Sequence, residues 1–247
     1  MPELIDKSSI QKIVTSYNRI EDVKSAIQLL NDSDDNIPIL NSMIDTLNSI
    51  DSIVKRPLSN YVEDSIVGKW ASSQVGIGPV LSAGLMAYID MEKAHSPGAV
   101  WRYAGLDPSF NDKKRFSGEL KSLCWKIGSS FAKYSNKPNC FYGKLYLQDK
   151  ERRTKKNNEG LYAQKAEEIL TDLPYKYRSD EHLLAQGKLS DEQIDAQARR
   201  FAVKIFLSHY YTIAYQEYRG EPTVRPSYIT INGKKEFIEI PNNPYTK

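Results

Sequence analysis

The chain has 247 residues, 40% of them hydrophobic and 26% charged, which is the composition of a globular protein able to bury a sizeable core. It contains no run of about 18 apolar residues and no secretory signal pattern, which predicts a cytoplasmic protein that does not enter a membrane. Its two cysteines, Cys124 and Cys140, are too few for a disulfide scaffold and are expected to be free thiols.

Two amphipathic helices are predicted at the start of the chain. Apolar residues recur at helical spacing over residues 8–30 and again over residues 38–54. The polar stretch at 31–36 has turn chemistry and separates them. Together they predict an acidic antiparallel helical hairpin, assigned to a domain at residues 1–56, whose expected role is packing or self-association rather than chemistry.

The second predicted domain, residues 57–224, is also helical and carries an insertion at about residues 136–196. Irregular or weakly helical structure is expected at 174–189. The tail at 225–247 has the one strand signal, two alternating segments that flank an Asn-Gly pair and predict a β-hairpin. The predicted fold class is therefore mainly α, with an N-terminal helical hairpin and a small C-terminal β-hairpin. Helices of the second domain are expected near 59–72, 79–90, 97–104, 118–134, 141–170 with a break near 157–160, and 190–218.

A glycine-rich turn is the most informative stretch of the chain. Gly76, Gly78 and Pro79 interrupt an apolar run directly before a predicted helix. Two glycines one residue apart permit a tight turn whose N–H groups no Cβ shields, and a helix N-terminus attracts phosphate. The pattern fits a helix-hairpin-helix element that holds a nucleic-acid phosphate through Gly76, Ile77, Gly78 and Val80. An ordinary helix–helix turn with a left-handed glycine explains the spacing equally well.

Charge is spread unevenly along the chain, although the net charge is only +3. Residues 1–66 contain 6 Lys and Arg against 11 Asp and Glu, whereas residues 113–156 contain 13 against 3. Aromatic residues alternate with the lysines of this basic segment, as in proteins that stack on bases, but a core stripe with a solvated opposite face explains this too. The cations assigned to a nucleic-acid site are Lys113, Lys114, Arg115, Lys121, Lys126, Arg152 and Arg153.

Two blocks of sequence are shared with a known family. The block Val-Gly-Ile-Gly-Pro-Val-Leu-Ser-Ala-Gly-Leu at 75–85 is followed by Trp-Arg-Tyr-Ala-Gly-Leu-Asp-Pro at 101–108. Together they resemble the C-terminal domain of the Piv-type DNA invertases and the related insertion-sequence transposases. The resemblance covers roughly residues 66–134 and 197–219. It implies a helix-hairpin-helix core that acts on DNA, in a family whose members work as oligomers.

The resemblance is incomplete in two respects. The family's ribonuclease-H-like domain, which binds metal through acidic residues, is replaced here by the predicted helical hairpin, so no metal or other cofactor is predicted. The family's serine nucleophile corresponds in position to Ser117, but the Lys-Arg-Gly-Asn that usually follows it is missing. A capping or phosphate-positioning role for Ser117 is therefore favoured, and no complete catalytic constellation is visible.

Three functions stay open from the sequence. The first is nucleic-acid binding, of DNA or alternatively RNA, through the glycine turn and the basic segment. The second is a DNA strand-transferase component that uses Ser117 together with a metal-binding domain supplied by a partner chain. The third is a protein-interaction module that docks through its N-terminal helices. A homodimer is compatible with the long helices and with the oligomeric relatives.

Overall fold

Ten α-helices make up most of the part of the chain that the structure describes. The computed structural model describes residues 6–33, 37–107, 116–223, 228–231 and 234–246. The helices are α1 (Lys7–Ser33), α2 (Pro38–Glu63), α3 (Ile66–Ser73), α4 (Pro79–Tyr88), α5 (Pro97–Tyr103), α6 (Gly118–Lys133), α7 (Phe141–Asn158), α8 (Ala163–Asp172), α9 (Glu181–Leu184) and α10 (Asp191–Arg219). The prediction of a mainly α fold is confirmed. None of these described helices is long and apolar enough to cross a membrane.

The first two helices pack against each other and against α4. The side chain of Asn31 donates a hydrogen bond to Asn41 at 2.9 Å, next to the connection between α1 and α2. At the other end of the pair, Gln11 Nε2 donates to the carbonyl of Ala87 at 2.7 Å. The last carbonyls of a helix have no partner within it, so α1 satisfies part of the end of α4. The buried residues of this junction, named the root cluster, are Ile10, Val14, Tyr17, Leu58, Val62, Val80, Ala83 and Ala87.

The second helix is longer than the sequence predicts. It continues through Pro57, across the predicted boundary between the first two domains. Leu58 and Val62 extend its buried face into the root cluster, and this packing outweighs the hydrogen bond that a proline cannot donate. The single helix expected at 59–72 is therefore wrong, because α2 and α3 divide that range between them.

A distant carboxylate fixes the start of α3. Glu217, on α10, accepts hydrogen bonds from the N–H groups of Ile66 at 2.7 Å and Val67 at 2.8 Å. It also accepts one from the hydroxyl of Ser65 at 3.0 Å. The first N–H groups of a helix have no intrahelical acceptor. A negative charge at this end is also stabilising, because the helix dipole gives the N-terminus a partial positive charge. Glu217 thus joins the beginning of α3 to the last turns of α10.

The main core is built around α10, which contacts α3, α5, α6 and α7. Four aromatic rings meet at its centre, with centroid distances of 5.6 Å for Trp70 and Phe206, 5.0 Å for Phe131 and Tyr142, and 5.1 Å for Tyr142 and Phe206. Each such pair contributes about 0.5–1.5 kcal/mol beyond simple burial. Both cysteines are buried and free, which confirms the expected thiols.

Helix ends in the second half follow their sequence signals. Beyond α7 the chain turns at Gly160, whose φ is +76°. Ser190 and Gln193 form the capping box predicted for α10, and Gly220 ends that helix with a φ of +75°. Where irregular or weakly helical structure is expected, at 174–189, the chain forms a 3₁₀-helix (Tyr175–Asp180) and α9. These elements bury a small cluster with α8 and α10, consisting of Ala166, Leu184, Leu189 and Ile194.

Two short strands follow α10. β1 (Tyr228–Ile231) and β2 (Lys234–Phe237) pair in antiparallel register, with Ile229 opposite Glu236. The Asn-Gly pair at 232–233 lies outside the described residues.

The last described residues lie across the core. Residues 238–246, named the C-terminal strap, place Ile240 and Tyr245 against the main core. The indole Nε1 of Trp70 donates a hydrogen bond to the carbonyl of Pro241 at 2.8 Å, over a separation of 171 residues. The strap therefore covers the side of α10 that packs against α3.

Candidate nucleic-acid interface

The turn between α3 and α4 includes a backbone conformation that favours glycine. Gly76 has a φ of +96°, and a Cβ at this position would lie 2.8 Å from Ser130 Oγ. The same hydroxyl donates a hydrogen bond to the carbonyl of Gly76 at 2.6 Å, and the N–H of Ile77 donates to the carbonyl of Gln74 at 2.9 Å. Contact with α6 and an internal hydrogen bond thus fix the turn, which makes it a preorganised surface.

The N-terminus of α4 is open. Gly78 is the N-cap residue and Pro79 occupies the first turn, and no described side chain caps the helix. The first helical hydrogen bond runs from the N–H of Ser82 to the carbonyl of Gly78 at 3.0 Å. The N–H groups of Val80 and Leu81 therefore have no partner within the helix. A Cβ on Gly78 would meet no atom of the described residues within 4 Å, so a side chain placed beside these amides would have space.

The four residues predicted at this turn offer backbone groups rather than side chains. Ile77 and Val80 are 4% and 7% exposed, so their side chains belong to the core. The carbonyl of Gly76 is already bonded to α6. The N–H groups of Gly78, Val80 and Leu81 have no hydrogen-bond acceptor among the described residues, and they lie at a helix N-terminus that carries a partial positive charge. Backbone amides in this arrangement suit a phosphate group.

Three exposed lysines lie around the turn; they belong to the basic segment whose lysines alternate with aromatic residues, but they are not among the cations assigned to the site from the sequence. They are Lys133, Lys137 and Lys144. The ammonium groups of Lys133 and Lys137 lie 5.7 Å and 4.6 Å from the ring centroid of Tyr134. That ring is beside the turn, because a Cβ on Gly76 would lie 3.3 Å from its Cδ2 atom. The lysines therefore add positive charge to the surface next to the open end of α4.

The beginning of α7 completes this surface. Cys140, its N-cap residue, directs its thiol to the carbonyl of Val75 at 3.7 Å. Burial raises the pKa of the Cys140 thiol, while the charges of Lys137 and Lys144 act in the opposite direction. Both ammonium groups thus lie close enough to influence a side chain that touches the turn. Within the described residues, Lys133, Lys137 and Lys144 form no ion pair.

Two predicted cations on α6 are in different surroundings. Lys126 donates a hydrogen bond to Asn18 at 2.9 Å and pairs with Asp22 at 3.6 Å, both on α1. The ammonium of Lys121 lies 4.8 Å from the ring centroid of Phe116. Lys133, at the end of α6, lies twelve positions after Lys121, which is about 18 Å along a helix. The predicted footprint is therefore divided between the two ends of α6.

The predicted arginines of α7 already have intramolecular partners. Arg152 pairs with Asp149, and Arg153 Nε donates to the other oxygen of that carboxylate at 2.5 Å. A second nitrogen of Arg153 donates to Gln197 at 2.7 Å. The Asp149 side chain is only 1% exposed, so it requires compensating charge. Both arginines therefore serve the interior of the protein.

Ser117 is the N-cap residue of α6. Its Oγ accepts a hydrogen bond from the N–H of Leu120 at 3.1 Å and donates one to Glu119 at 3.1 Å. Its own N–H donates to the carbonyl of Tyr103 at 2.8 Å. This geometry matches the capping role weighed from the sequence. The remaining predicted cations, Lys113, Lys114 and Arg115, lie outside the described residues.

A groove of about 630 Å³ lies between α6 and α10, near Trp125, whose side chain is 67% exposed. One wall carries Asp195, which accepts a hydrogen bond from Lys150 at 2.7 Å and pairs with Arg199 at 2.6 Å. Burial disfavours the charged form of Asp195, but the hydrogen bonds from Lys150 and Tyr146 outweigh it and hold the carboxyl pKa below its ordinary value. Two of the cations that line the groove are thus neutralised in place.

No group of three or more His, Cys, Asp or Glu within the described ranges is arranged to hold a metal ion. Comparison of the chain with protein-family models, with curated proteins and with solved structures finds no match. The resemblance to transposase domains therefore remains a prediction from the two sequence blocks, and the interface is defined by its geometry: an uncapped helix N-terminus beside three lysines that carry no ion pair among the described residues.

Proposed function

We propose that this protein binds a nucleic-acid backbone, DNA in the first instance, at the turn between α3 and α4. The observation that carries the proposal is the open N-terminus of α4 beside Lys133, Lys137 and Lys144. The amides and the helix dipole would hold one phosphate, and the lysines would contact its neighbours. In that case α3, the turn and α4 act as a helix-hairpin-helix element.

The shape of the charged surface favours a polyanion over a small phosphate compound. The three lysines are distributed over the last turn of α6, the connection that follows it and the first turn of α7. Duplex DNA carries one charge for about every 1.7 Å of its axis, so separated cations can each meet a phosphate. Contacts of this kind position a protein on nucleic acid without reading its sequence. Binding is therefore expected to depend strongly on salt and weakly on base sequence.

The amides are tested by substitution at Gly78, where a side chain has free space. In Gly78→Asp, the new carboxylate accepts hydrogen bonds from the first-turn amides and places a negative charge where a phosphate would bind. We expect at least a tenfold loss of affinity for a labelled duplex, measured by fluorescence anisotropy, with unchanged or slightly increased stability. Gly78→Ala adds only a methyl group and is the matched control. Equal affinity of the two variants would contradict the proposal.

The lysines are tested by their effect on salt dependence. Each phosphate contact contributes about 0.9 to the slope of log affinity against log salt concentration, so replacing all three lysines by Gln should reduce the slope by roughly 2–3. The control carries the same charge change at exposed positions elsewhere: Lys12→Gln, Lys155→Gln and Arg178→Gln. Parallel titrations of duplex DNA, single-stranded DNA and RNA identify the preferred ligand. Binding that does not respond to salt, or equal losses in both triple variants, would exclude this site.

A further inference from the structure

The helical pair formed by α1 and α2 extends well beyond the root cluster. The extension, residues 18–33 and 37–53, is named the arm. At 1.5 Å per residue it is about 24 Å long. Within it, the positions that face the partner helix are 20, 24, 27 and 31 on α1 and 40, 44, 47, 51 and 54 on α2, and Ile20, Ile27, Ile44 and Leu47 are among their apolar members. These positions are the inner seam of the arm.

Both helices of the arm carry a second apolar row, one residue before each position of the inner seam. Its six large apolar members are Val23 and Leu30 on α1 and Ile39, Met43, Ile50 and Ile53 on α2, and Arg19, Ala26 and Thr46 occupy its other positions. Five of these six side chains are between 45% and 72% exposed. One residue corresponds to a rotation of about 100° around a helix. Because the helices are antiparallel, the same rotation in each places both second rows on one side of the arm, which is named the apolar face.

The opposite side of the arm is polar. The positions one residue after the inner seam are occupied by polar side chains, namely Glu21, Ser25, Gln28, Asn41, Asp45, Asn48 and Ser52. The two sides of the same pair of helices thus differ in polarity. Packing of α1 against α2 uses only the inner seam and does not explain why one outer side is apolar. A contiguous exposed apolar surface on a helical pair is typical of a protein–protein contact.

We propose that the apolar face is a self-association surface, on which a second copy of this chain docks the same face. The charge distribution favours an identical partner, because the described carboxylates of the arm lie away from the face. Asp51 pairs with Lys55 at 2.5 Å near the inner seam, and Asp22 approaches Lys126 of the body at 3.6 Å. The one cation at a second-row position is Arg19, at the end of the arm next to the body, so the rest of the two faces can meet without burying charge.

The apolar face supplies more than half of the surface that a standard interface requires. The five exposed side chains sum to about three fully exposed residues, on the order of 500 Å² of apolar surface, before neighbouring polar atoms are counted. A standard interface takes roughly 800 Å² from each partner. Two arms stacked face to face would form a four-helix bundle related by a twofold axis, in which the second rows become the core.

The test is the mass of the full chain in solution without nucleic acid, so its outcome does not depend on the proposed function. Sedimentation equilibrium from about 1 to about 100 µM should show a reversible monomer–dimer equilibrium. The double variant Ile39→Glu, Ile53→Glu introduces charge on the apolar face and should weaken dimerisation at least 100-fold. The control, Ser25→Glu with Ser52→Glu, adds the same charge to the polar side and should dimerise like the unmodified chain.

A cross-linking experiment gives a second readout that does not require disrupting the arm. Thr46→Cys lies in the second row of α2, whereas Asn48→Cys lies on the polar side, and both native cysteines are buried. Mild oxidation should give a covalent dimer of the first variant and much less of the second. A chain that stays monomeric at all concentrations, a dimer that persists in the double glutamate variant, or equal cross-linking at both positions would overturn the proposal.

Discussion

The basic segment separates into two regions whose cations are in opposite situations. Around the glycine turn, Lys133, Lys137 and Lys144 are exposed and form no ion pair among the described residues. Farther along α7, Arg152 and Arg153 both pair with the buried carboxylate of Asp149. A charge count treats the two regions alike. The cations around the turn are therefore the ones available to a ligand, whereas those of α7 are occupied within the protein.

The largest effect is expected in the paired region. Asp149→Ala removes the carboxylate that compensates Arg152 and Arg153, and breaking a buried pair in this way costs about 3–5 kcal/mol of unfolding free energy. Urea denaturation measures the loss, and Glu151→Ala, an exposed position of the same helix, should change stability little. Affinity of the folded variant for DNA should be unchanged. A loss below about 1 kcal/mol would show that this ion pair contributes no more than an ordinary surface pair, and that Arg152 and Arg153 are not needed in the interior.

A second interior group, His209, is expected to make the stability of the protein depend on pH. His209 is 3% exposed, its Nε2 donates to the carbonyl of Ile238 at 2.9 Å, and its Nδ1 is therefore left to accept from the hydroxyl of Tyr142 at 2.9 Å. Burial lowers its pKa from 6.5 to about 4. Between these values the unfolded chain binds a proton that the folded chain does not, so stability falls as the pH decreases through this window.

The expected loss between pH 7 and pH 4 is about 3 kcal/mol from this group, because each pKa unit corresponds to about 1.4 kcal/mol. Carboxylates add their own contribution, so the measurement is a difference between the unmodified chain and His209→Gln, each unfolded in urea at several pH values. The variant should lack this part of the pH dependence. Parallel curves for the two proteins would show that the imidazole takes up its proton without unfolding.

The smallest effect concerns Ser117. As an N-cap residue it should lose about 1 kcal/mol of stability in Ser117→Ala and recover most of it in Ser117→Asn, which preserves the cap. Affinity for DNA should be the same in both variants. Detection of a covalent protein–DNA adduct that disappears in the alanine variant would contradict the capping role and favour the strand-transferase alternative.

Local patterns of the sequence predict much of this fold. The apolar spacing of residues 8–30 locates α1, and the Ser190–Gln193 capping box locates the start of α10. These signals succeed because helix formation and capping involve residues within a few positions of each other. The end of α2 is the instructive exception. A proline inside a helix normally predicts a break, and only the packing of Leu58 and Val62 on α4 explains why the helix continues.

The candidate site was predictable only in part, because its halves are distant in sequence. The glycine spacing indicates the turn, but nothing local places Ser130 beside Gly76 across 54 residues. The same limit explains why the alternating pattern of aromatic residues and lysines does not indicate that Lys137 and Lys144 lie next to the glycine turn. The pairing of Arg152 and Arg153 could have been predicted from the sequence. Asp149 lies three and four positions before them, a helical spacing that indicates ion pairing.

The C-terminal strap has a consequence for the order of folding. The contacts of Trp70 with Pro241 and of Ile66 with Glu217 join residues 171 and 151 positions apart. Forming either contact therefore requires the closure of a loop that contains more than half of the chain. The arm, by contrast, is made of two helices adjacent in sequence. During synthesis the arm can form early, whereas the region around α3 stays incomplete until the strap has been made. Refolding followed through Trp70 should therefore be slower than the appearance of helical signal.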